Sequence, residues 1–362
     1  MKKVSYFLLF SLAALRVAGQ DIPPSDSVVR LMKKVAAWQL ENWKTEGMRA
    51  PKWDWTNAAA YTGFMALDKV SSDSNWRKAM YGIAESINWL TGPRKMMADD
   101  YCVAQLYAAL YQLYHEPKMI ASFMAQADSI SLLPHTDSLT WQNDIQLREW
   151  AWCDALFMGP PAFAYLTAAT GKEKYLATAC RLWWKTTDYL FDKKEALYFR
   201  DSRYFTQREA NGRKVFWARG NGWVMAGLVR LLENMPENYP GRARFVRLFR
   251  KMSARIASLQ QPDGTWHASL LDPASYPSKE TSGTGFYCYA LAWGVNHHLL
   301  SLKKYHPCIA AAWKALSACV DGGGRLGYVQ KIGDKPGQAD AQSTGAFGTG
   351  AFLLAGSEVA HL

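Results

Sequence analysis

Hydrophobic residues recur at helical spacing along most of the chain, and the alternating pattern typical of strands is scarce. Capping residues and helix breakers divide this pattern into about twelve segments. The sequence therefore predicts helices near residues 26–44, 56–69, 75–90, 100–114, 117–131, 151–169, 173–191, 218–234, 240–259, 280–300, 306–320 and 345–357.

Twelve helices, joined alternately by short turns and longer loops, fit six helical hairpins closed into a double ring. We therefore expect an all-α fold, an (α/α)6 barrel. An open solenoid is the alternative, but no fixed repeat period supports it. No linker rich in Pro, Gly or Ser divides residues 20–362, so we expect one domain, with a site in the cavity at one end of the barrel.

The first residues have the order of a secretory signal: Lys2 and Lys3, an apolar run over residues 6–15, then Ala18 and Gly19. The apolar run is too short to cross a bilayer, and no later stretch reaches the roughly 20 apolar residues that a membrane helix needs. We predict a signal peptide over residues 1–19 and a soluble periplasmic or secreted protein, either a monomer or a homodimer.

The formal net charge is +11, part of which belongs to the predicted signal. The basic residues are scattered singly and do not form the blocks typical of nucleic-acid or membrane binding, so we expect neither partner. A diffuse positive field suits an anionic substrate, although ordinary surface solvation is the more common reason for such a charge.

The six cysteines form no CxxC pair and no Cys/His cluster at zinc spacing. We therefore expect no metal and no cofactor. In an oxidising compartment some cysteines could pair, and buried free thiols are the alternative.

Asp154 is the most informative carboxyl because it stands alone among large apolar residues, with Trp152 and Cys153 before it. Such surroundings disfavour the charged form, so we predict a general acid that stays protonated near neutral pH. The alternative is a structural role as the N-cap of a helix.

Asp99 and Asp100 lie at the predicted start of the fourth helix. We expect Asp99 to cap this helix and Asp100 to face the cavity as a second catalytic carboxyl, and the opposite assignment stays open.

Two further clusters are candidates for substrate binding. The first carries Trp217, Arg219, Asn221 and Trp223 among glycines, which suits sugar stacking and a bidentate grip on a carboxylate. The second is a loop with His267 and Tyr276, which more often serve structure than binding.

Six motifs in order resemble the unsaturated rhamnogalacturonyl hydrolases of glycoside hydrolase family 105, relatives of family 88. Together they reach across nearly all of the mature chain. They occupy residues 100–105, 152–161, 217–223, 263–267, 280–284 and 350–358.

This resemblance implies a metal-independent (α/α)6 barrel that hydrates the C4–C5 double bond of a terminal unsaturated uronic acid. The substrate would be an anionic oligosaccharide left by a polysaccharide lyase, of rhamnogalacturonan type, although the sugar after the uronate stays open. Asp154 matches the family's acid and Asp100 its second catalytic Asp. The residues that match pocket positions are Trp152, Trp217, Arg219, Trp223 and His267.

Two other functions stay open at this point. One is an (α/α)6 enzyme acting on saturated sugars, such as an ordinary glycosidase or an epimerase. The other is a carbohydrate-binding protein with a degenerate site, although a pure binder gains little from a buried carboxyl.

Overall fold

The computed structural model describes residues 22–142 and 144–362, which form helices, short 3-10 turns and one small hairpin. The hairpin pairs β1 (Phe191–Asp192) antiparallel with β2 (Leu197–Tyr198). The helices are α1 (Ser25–Thr45), α2 (Trp55–Val70), α3 (Asn75–Ser86), α4 (Ala98–Tyr101), α5 (Ala104–Tyr114), α6 (Lys118–Leu132), α7 (Ala155–Met158), α8 (Pro160–Thr170), α9 (Glu173–Leu190), α10 (Ala218–Glu233), α11 (Arg242–Ala257), α12 (Thr281–Asn296), α13 (Leu302–Ala318) and α14 (Ala346–Val359).

Six of the longer helices form a closed inner ring. Neighbours pack in the order α2, α14, α12, α10, α8 and α5, and α5 returns to α2. Because the first inner helix packs against the last, the predicted (α/α)6 barrel is confirmed and an open solenoid is excluded. Helices α10, α12 and α14 are buried almost all round, as expected for an inner layer.

The outer ring consists of α1, α3, α6, α9, α11 and α13. Each packs one face against the inner ring, so its sequence is amphipathic. In α11, for example, Phe245, Leu248, Phe249, Met252 and Ile256 are buried at helical spacing, and basic residues cover the other face.

Two helices that the sequence pattern predicts as continuous are interrupted. The predicted 100–114 helix divides into α4 and α5, with tight i to i+3 hydrogen bonds at the junction, from Gln105 N to Cys102 O and from Leu106 N to Val103 O. The predicted 151–169 helix divides into α7 and α8 at Pro160, whose ring fits only the first turn of a helix.

The predicted signal peptide lies outside the described residues. Over residues 22–142 and 144–362, no helix is both long and apolar enough to span a membrane. The six cysteines all lie in that part of the chain and are free thiols. Three of them, Cys180, Cys288 and Cys308, lie within helices. The same residues contain no group of three or more His, Cys, Asp or Glu side chains that could hold a metal ion.

Candidate active site

A cavity of about 310 Å³ opens where four inner-ring segments begin. Trp55 is the first residue of α2, Asp99 lies in α4, Asp154 directly precedes α7, and Trp217 directly precedes α10. The lining residues are Trp55, Asp99, Trp152, Asp154, Met158, Arg200, Trp217, Ile332, Gly333 and Asp334. The fold therefore gathers residues from the whole length of the chain at one end of the barrel.

A second, larger cavity of about 600 Å³ lies at the other end of the inner ring. It is lined by residues near the carboxyl ends of the inner helices, among them Lys69, Glu233, Asn296 and Glu358. Only the last of the six motifs reaches this larger cavity, through Glu358. None of the candidate catalytic or binding residues lies there, so the smaller cavity is the candidate active site.

Asp154 reaches the cavity from the start of α7 and makes no capping hydrogen bond to that helix. Its side chain accepts a hydrogen bond from Cys153 Sγ at 3.3 Å and lies 3.7 Å from Arg200 Nε. Burial raises the pKa of Asp154, and the Arg200 guanidinium opposes this rise. Asp154 therefore occupies the N-cap position of α7, as the structural alternative expected, but its side chain does not cap the helix.

Asp99 and Asp100 point in different directions. Asp99 lines the cavity, whereas Asp100 is fully buried and accepts hydrogen bonds from the backbone N of Arg94 at 2.7 Å and from Arg94 Nε at 3.0 Å. The residue in the N-cap position of α4 is Met97. The expectation that Asp99 caps the helix and Asp100 faces the cavity is therefore wrong: Asp99 faces the cavity, and neither residue caps α4.

The two carboxyls of the cavity influence each other. Burial, together with the negative charge of Asp154, raises the pKa of Asp99 to about 7. Burial disfavours the ionised form of both carboxyls, and a pKa of about 7 leaves Asp99 partly protonated near neutral pH. Such a pair can donate a proton and then accept one.

Arg200 is the cation at this cavity, and the sequence motifs do not assign it a role. Its Nη1 donates to Asp201 at 2.7 Å and its guanidinium lies 4.6 Å from the centre of the Trp141 ring. Its backbone oxygen accepts a hydrogen bond from Cys153 N at 2.8 Å, which fixes it beside Asp154. Its Nε is buried, makes no hydrogen bond within the described part of the chain and lies 3.7 Å from Asp154 Oδ2, so its charge acts on that carboxyl.

Arg219 lies behind the cavity wall and is fully buried. Its Nη1 and Nη2 donate to the backbone oxygens of Gln330 and Lys331, both at 2.8 Å, and its guanidinium stacks on Trp217 at 4.3 Å. Burial lowers the pKa of Arg219 to about 10, which still leaves it protonated at neutral pH. The prediction that Arg219 faces a substrate carboxylate is therefore not met, because protein carbonyls occupy these donors.

The other predicted binding residues divide into two groups. Trp152 and Trp217 line the cavity as expected. Trp223 instead packs inside the barrel with its ring 4.3 Å from that of Phe286, and the Asn221 side chain accepts from Tyr198 N at 2.8 Å. These two residues support the wall without lining it.

His267 and Tyr276 are also absent from the residues that line this cavity. His267 Nδ1 lies 3.1 Å from the backbone oxygen of Pro273, and its Nε2 lies 3.6 Å from Asp263. The Tyr276 hydroxyl donates to Glu209 at 3.5 Å. Both side chains hold the surrounding loop together.

The arrangement joins a proton-holding carboxyl pair, a partly unsatisfied guanidinium and indole rings in a small cavity. The rings suit the apolar faces of a sugar, the guanidinium suits an anionic substituent, and the carboxyls suit general acid–base chemistry.

Comparison with known proteins agrees with this chemistry. Residues 30–362 match the family described as Glycosyl Hydrolase Family 88. A relative from Formosa agariphila named unsaturated 3S-rhamnoglycuronyl hydrolase is 40% identical over 319 residues, with 85% of each chain covered.

Two solved structures are also similar over nearly the whole chain. One, named a polysaccharide lyase, is 33% identical with a TM-score of 0.84 and covers 93% of this chain and 97% of its own. The other, a glycosyl hydrolase family 88 protein from Bacteroides vulgatus, is 28% identical with a TM-score of 0.83 and covers 94% and 99%. The resemblance that the six motifs carry is thereby confirmed: the chain belongs to glycosyl hydrolase family 88.

Proposed function

We propose that this glycosidase removes a Δ4,5-unsaturated uronic acid from the non-reducing end of oligosaccharides left by a polysaccharide lyase. The observation that carries the proposal is the carboxyl pair Asp99 and Asp154 beside Arg200, in a cavity with indole walls. The name of the Formosa agariphila relative supports an unsaturated, rhamnose-bearing substrate.

In the proposed reaction the protonated Asp154 delivers its proton to C4 of the uronate. The C4–C5 π bond supplies the electron pair, and the positive charge that develops at C5 is shared with the ring oxygen. Asp154, now a carboxylate, takes a proton from a water molecule whose oxygen bonds to C5. The resulting hemiketal opens to a ketone at C5, and the hemiacetal left at C1 releases the remaining sugar as an alcohol, so that one water is consumed.

Arg200 has two effects in this scheme. Its positive charge at the cavity wall can attract the uronate carboxylate and so orient the ring. That carboxylate also offsets the guanidinium charge that stabilises the ionised Asp154, so binding raises the pKa of Asp154 further. Substrate binding therefore favours the proton on the residue that uses it, with Asp99 as the second carboxyl of the pair.

The first test follows the ultraviolet absorbance of the conjugated uronate during incubation with lyase-generated rhamnose-containing fragments. Wild type is expected to abolish this absorbance. Asp154→Asn is expected to reduce the rate at least about 1,000-fold and Asp99→Asn about 100-fold, because each loses a proton-transfer group. Asp100→Asn is the matched control, since Asp100 is the neighbour of Asp99 in sequence but is buried against Arg94 and faces away from the cavity.

The sign of the signal separates this proposal from its rivals. A rise in absorbance on intact polysaccharide would indicate a lyase, the name that one similar structure carries. Unchanged absorbance with tight binding of the oligosaccharide would indicate a binding protein. Hydrolysis of saturated uronides alone would indicate an ordinary glycosidase, and any of these three results overturns the proposal.

We further propose that the protein is exported and works as a monomer or homodimer on an anionic oligosaccharide. The support is the order of residues 1–19 and the singly scattered basic residues. The mass of the mature N-terminus in an expressing bacterium tests export, and light scattering tests the assembly.

A further inference from the structure

Residues 330–335, called the rim loop here, form the outer edge of the candidate active site. Ile332, Gly333 and Asp334 all line the cavity that also contains Asp99 and Asp154. Ile332 is 67% exposed, so its side chain stands in solvent at the mouth.

Buried groups hold the rim loop from behind. Arg219 donates to the backbone oxygens of Gln330 and Lys331, and Trp217 Nε1 donates to Gln330 Oε1 at 2.9 Å. Glu280, which caps α12, also accepts a hydrogen bond from Gln330 N at 3.3 Å. Burying a guanidinium costs desolvation free energy, which the hydrogen bonds to the two loop carbonyls offset. These bonds therefore hold the loop in one position.

An ion pair holds the same loop from the front. Arg203 Nη2 donates to Asp334 Oδ2 at 2.9 Å, although 131 residues separate the two in sequence. Asp201 fixes Arg203 in turn, accepting from its Nε at 2.9 Å. The loop is therefore fastened at both ends to the elements that carry Trp217 and Arg200.

Ile332 has no part in this fastening. A single exposed apolar residue needs no explanation on an ordinary surface. Here the flanking backbone is fixed by charged hydrogen bonds, and the side chain is presented beside a sugar-sized cavity. Such a placement suits a ligand that continues past the mouth.

The cavity is small for an oligosaccharide. Its volume of about 310 Å³ lies at the lower end of the range of roughly 300–1,000 Å³ for ligand sites. It suits a terminal sugar, and the rest of an oligosaccharide has to leave along the rim. The C–H face of a pyranose ring is apolar and matches an isoleucine side chain.

We infer that the rim loop binds the sugar that follows the terminal unsaturated uronate, with Ile332 against that sugar's apolar face. Arg203 and Arg219 are then positioning residues for the loop. This inference rests on the proposed function, whose substrate supplies the terminal uronate.

The experiment compares two substrates with the same unsaturated uronate, one carrying a methyl aglycone and the other a lyase-generated disaccharide or longer chain. For Ile332→Ala we expect kcat/KM on the oligosaccharide to fall roughly tenfold, mainly through KM, as is typical for loss of an apolar contact at a ligand. The loss on the methyl glycoside is expected to be at least about fivefold smaller. Asp334→Asn, which weakens the ion pair to Arg203, is expected to shift KM in the same direction.

Leu132→Ala is the matched control, because Leu132 is an 86% exposed aliphatic residue at the end of α6 and away from the cavity. It should leave both substrates unaffected. Equal losses on both substrates for Ile332→Ala, or no loss on either, would overturn the inference while wild-type consumption leaves the proposed function standing. If wild type consumes neither substrate, the proposed function fails and this inference fails with it.

Discussion

Asp99 and Asp100 are neighbours in the chain but have opposite roles in the energetics of the fold. Asp100 accepts hydrogen bonds from Arg94 in a fully buried position, so its charge is compensated. Asp99 faces the cavity, where burial and Asp154 disfavour its ionised form. Such a group costs folding free energy and is retained where activity needs it.

The first prediction contrasts these two residues by stability. The raised pKa of Asp99 means that its favourable contribution is complete below pH 3.8, the ordinary pKa of Asp, and is lost as pH rises through about 7. Because Asn carries no charge, Asp99→Asn should match wild type near pH 4 and be more stable near pH 8, by on the order of 1–3 kcal/mol. Urea denaturation at the two pH values measures this difference.

Asp100→Asn is expected to change the free energy of unfolding in the opposite direction in the same experiment. It weakens charged hydrogen bonds of a buried group, so the free energy of unfolding should fall by about 1–3 kcal/mol at both pH values. A destabilised Asp99→Asn near pH 8 would show that Asp99 is not held in a desolvated site.

Residue chemistry was predictable from the sequence where one carboxyl stands alone, as Asp154 does. The roles of Asp99 and Asp100 were not predictable, because adjacent residues on a helix point about 100° apart. Which of the two faces the cavity depends on how α4 is oriented, and the break before α5 sets that orientation. The two arginines illustrate the same point. Arg219 stands in the stronger motif, but Arg200 is the one that reaches the cavity. A backbone hydrogen bond from Cys153 N to Arg200 O places it there, and no sequence pattern indicates that long-range contact.

At the scale of elements, the existence of the long helices followed from periodicity. The interruptions, the β1–β2 hairpin and the start of α13 at Leu302 were missed. Hydrophobic spacing continues through Cys102 and through Pro160, so no change of pattern marks either break. The proline at the start of α8 does indicate a new helix start, since proline favours the first turn of a helix. The junction before α5 depends on tertiary contacts and has no equivalent signal.

Helices α2 and α14 approach closely at Gly63 and Gly350, where the inner ring closes. A Cβ at Gly63 would lie 2.6 Å from the backbone oxygen of Gly350, and one at Gly350 would clash with the backbone oxygen of Ala59. Glycine is therefore needed at these two positions for packing, although alanine is the better helix former.

The second prediction tests this seam. Gly350→Ala should lower the free energy of unfolding by about 1–3 kcal/mol, because overpacking outweighs the gain in helix propensity. Gly82→Ala in the outer helix α3 is the control, since no atom lies within 4 Å of its added Cβ. The control should raise the free energy of unfolding by about 0.5–1 kcal/mol. Equal effects of the two substitutions in urea denaturation would contradict the close approach.

At the scale of the whole molecule, closure of the inner ring makes distant parts of the chain depend on each other. The cavity takes Trp55 from the first inner helix, Asp154 from the middle of the chain and Ile332 from near its end. The twelve-helix pattern favoured a closed double ring over a solenoid, but the contact between α2 and α14 decides between them. Sequence periodicity indicates which face of a helix is buried, but it does not indicate which other helix packs against that face.

The third prediction follows from that closure. A chain ending at residue 344 lacks α14, which packs against α2 at Ala59, Ala60 and Gly63 and against α12 at Gly285. In a solenoid each repeat contacts only its neighbours, so the remaining repeats would stay folded. In a closed ring both neighbours of α14 lose their packing at once. We therefore expect the truncated chain to lose its cooperative thermal transition completely, whereas a chain lacking only the exposed residues 361–362 keeps the wild-type transition. A truncated chain that still unfolds cooperatively, with helix content reduced only by the missing segment, would mean that the ring's closure contributes little to the fold.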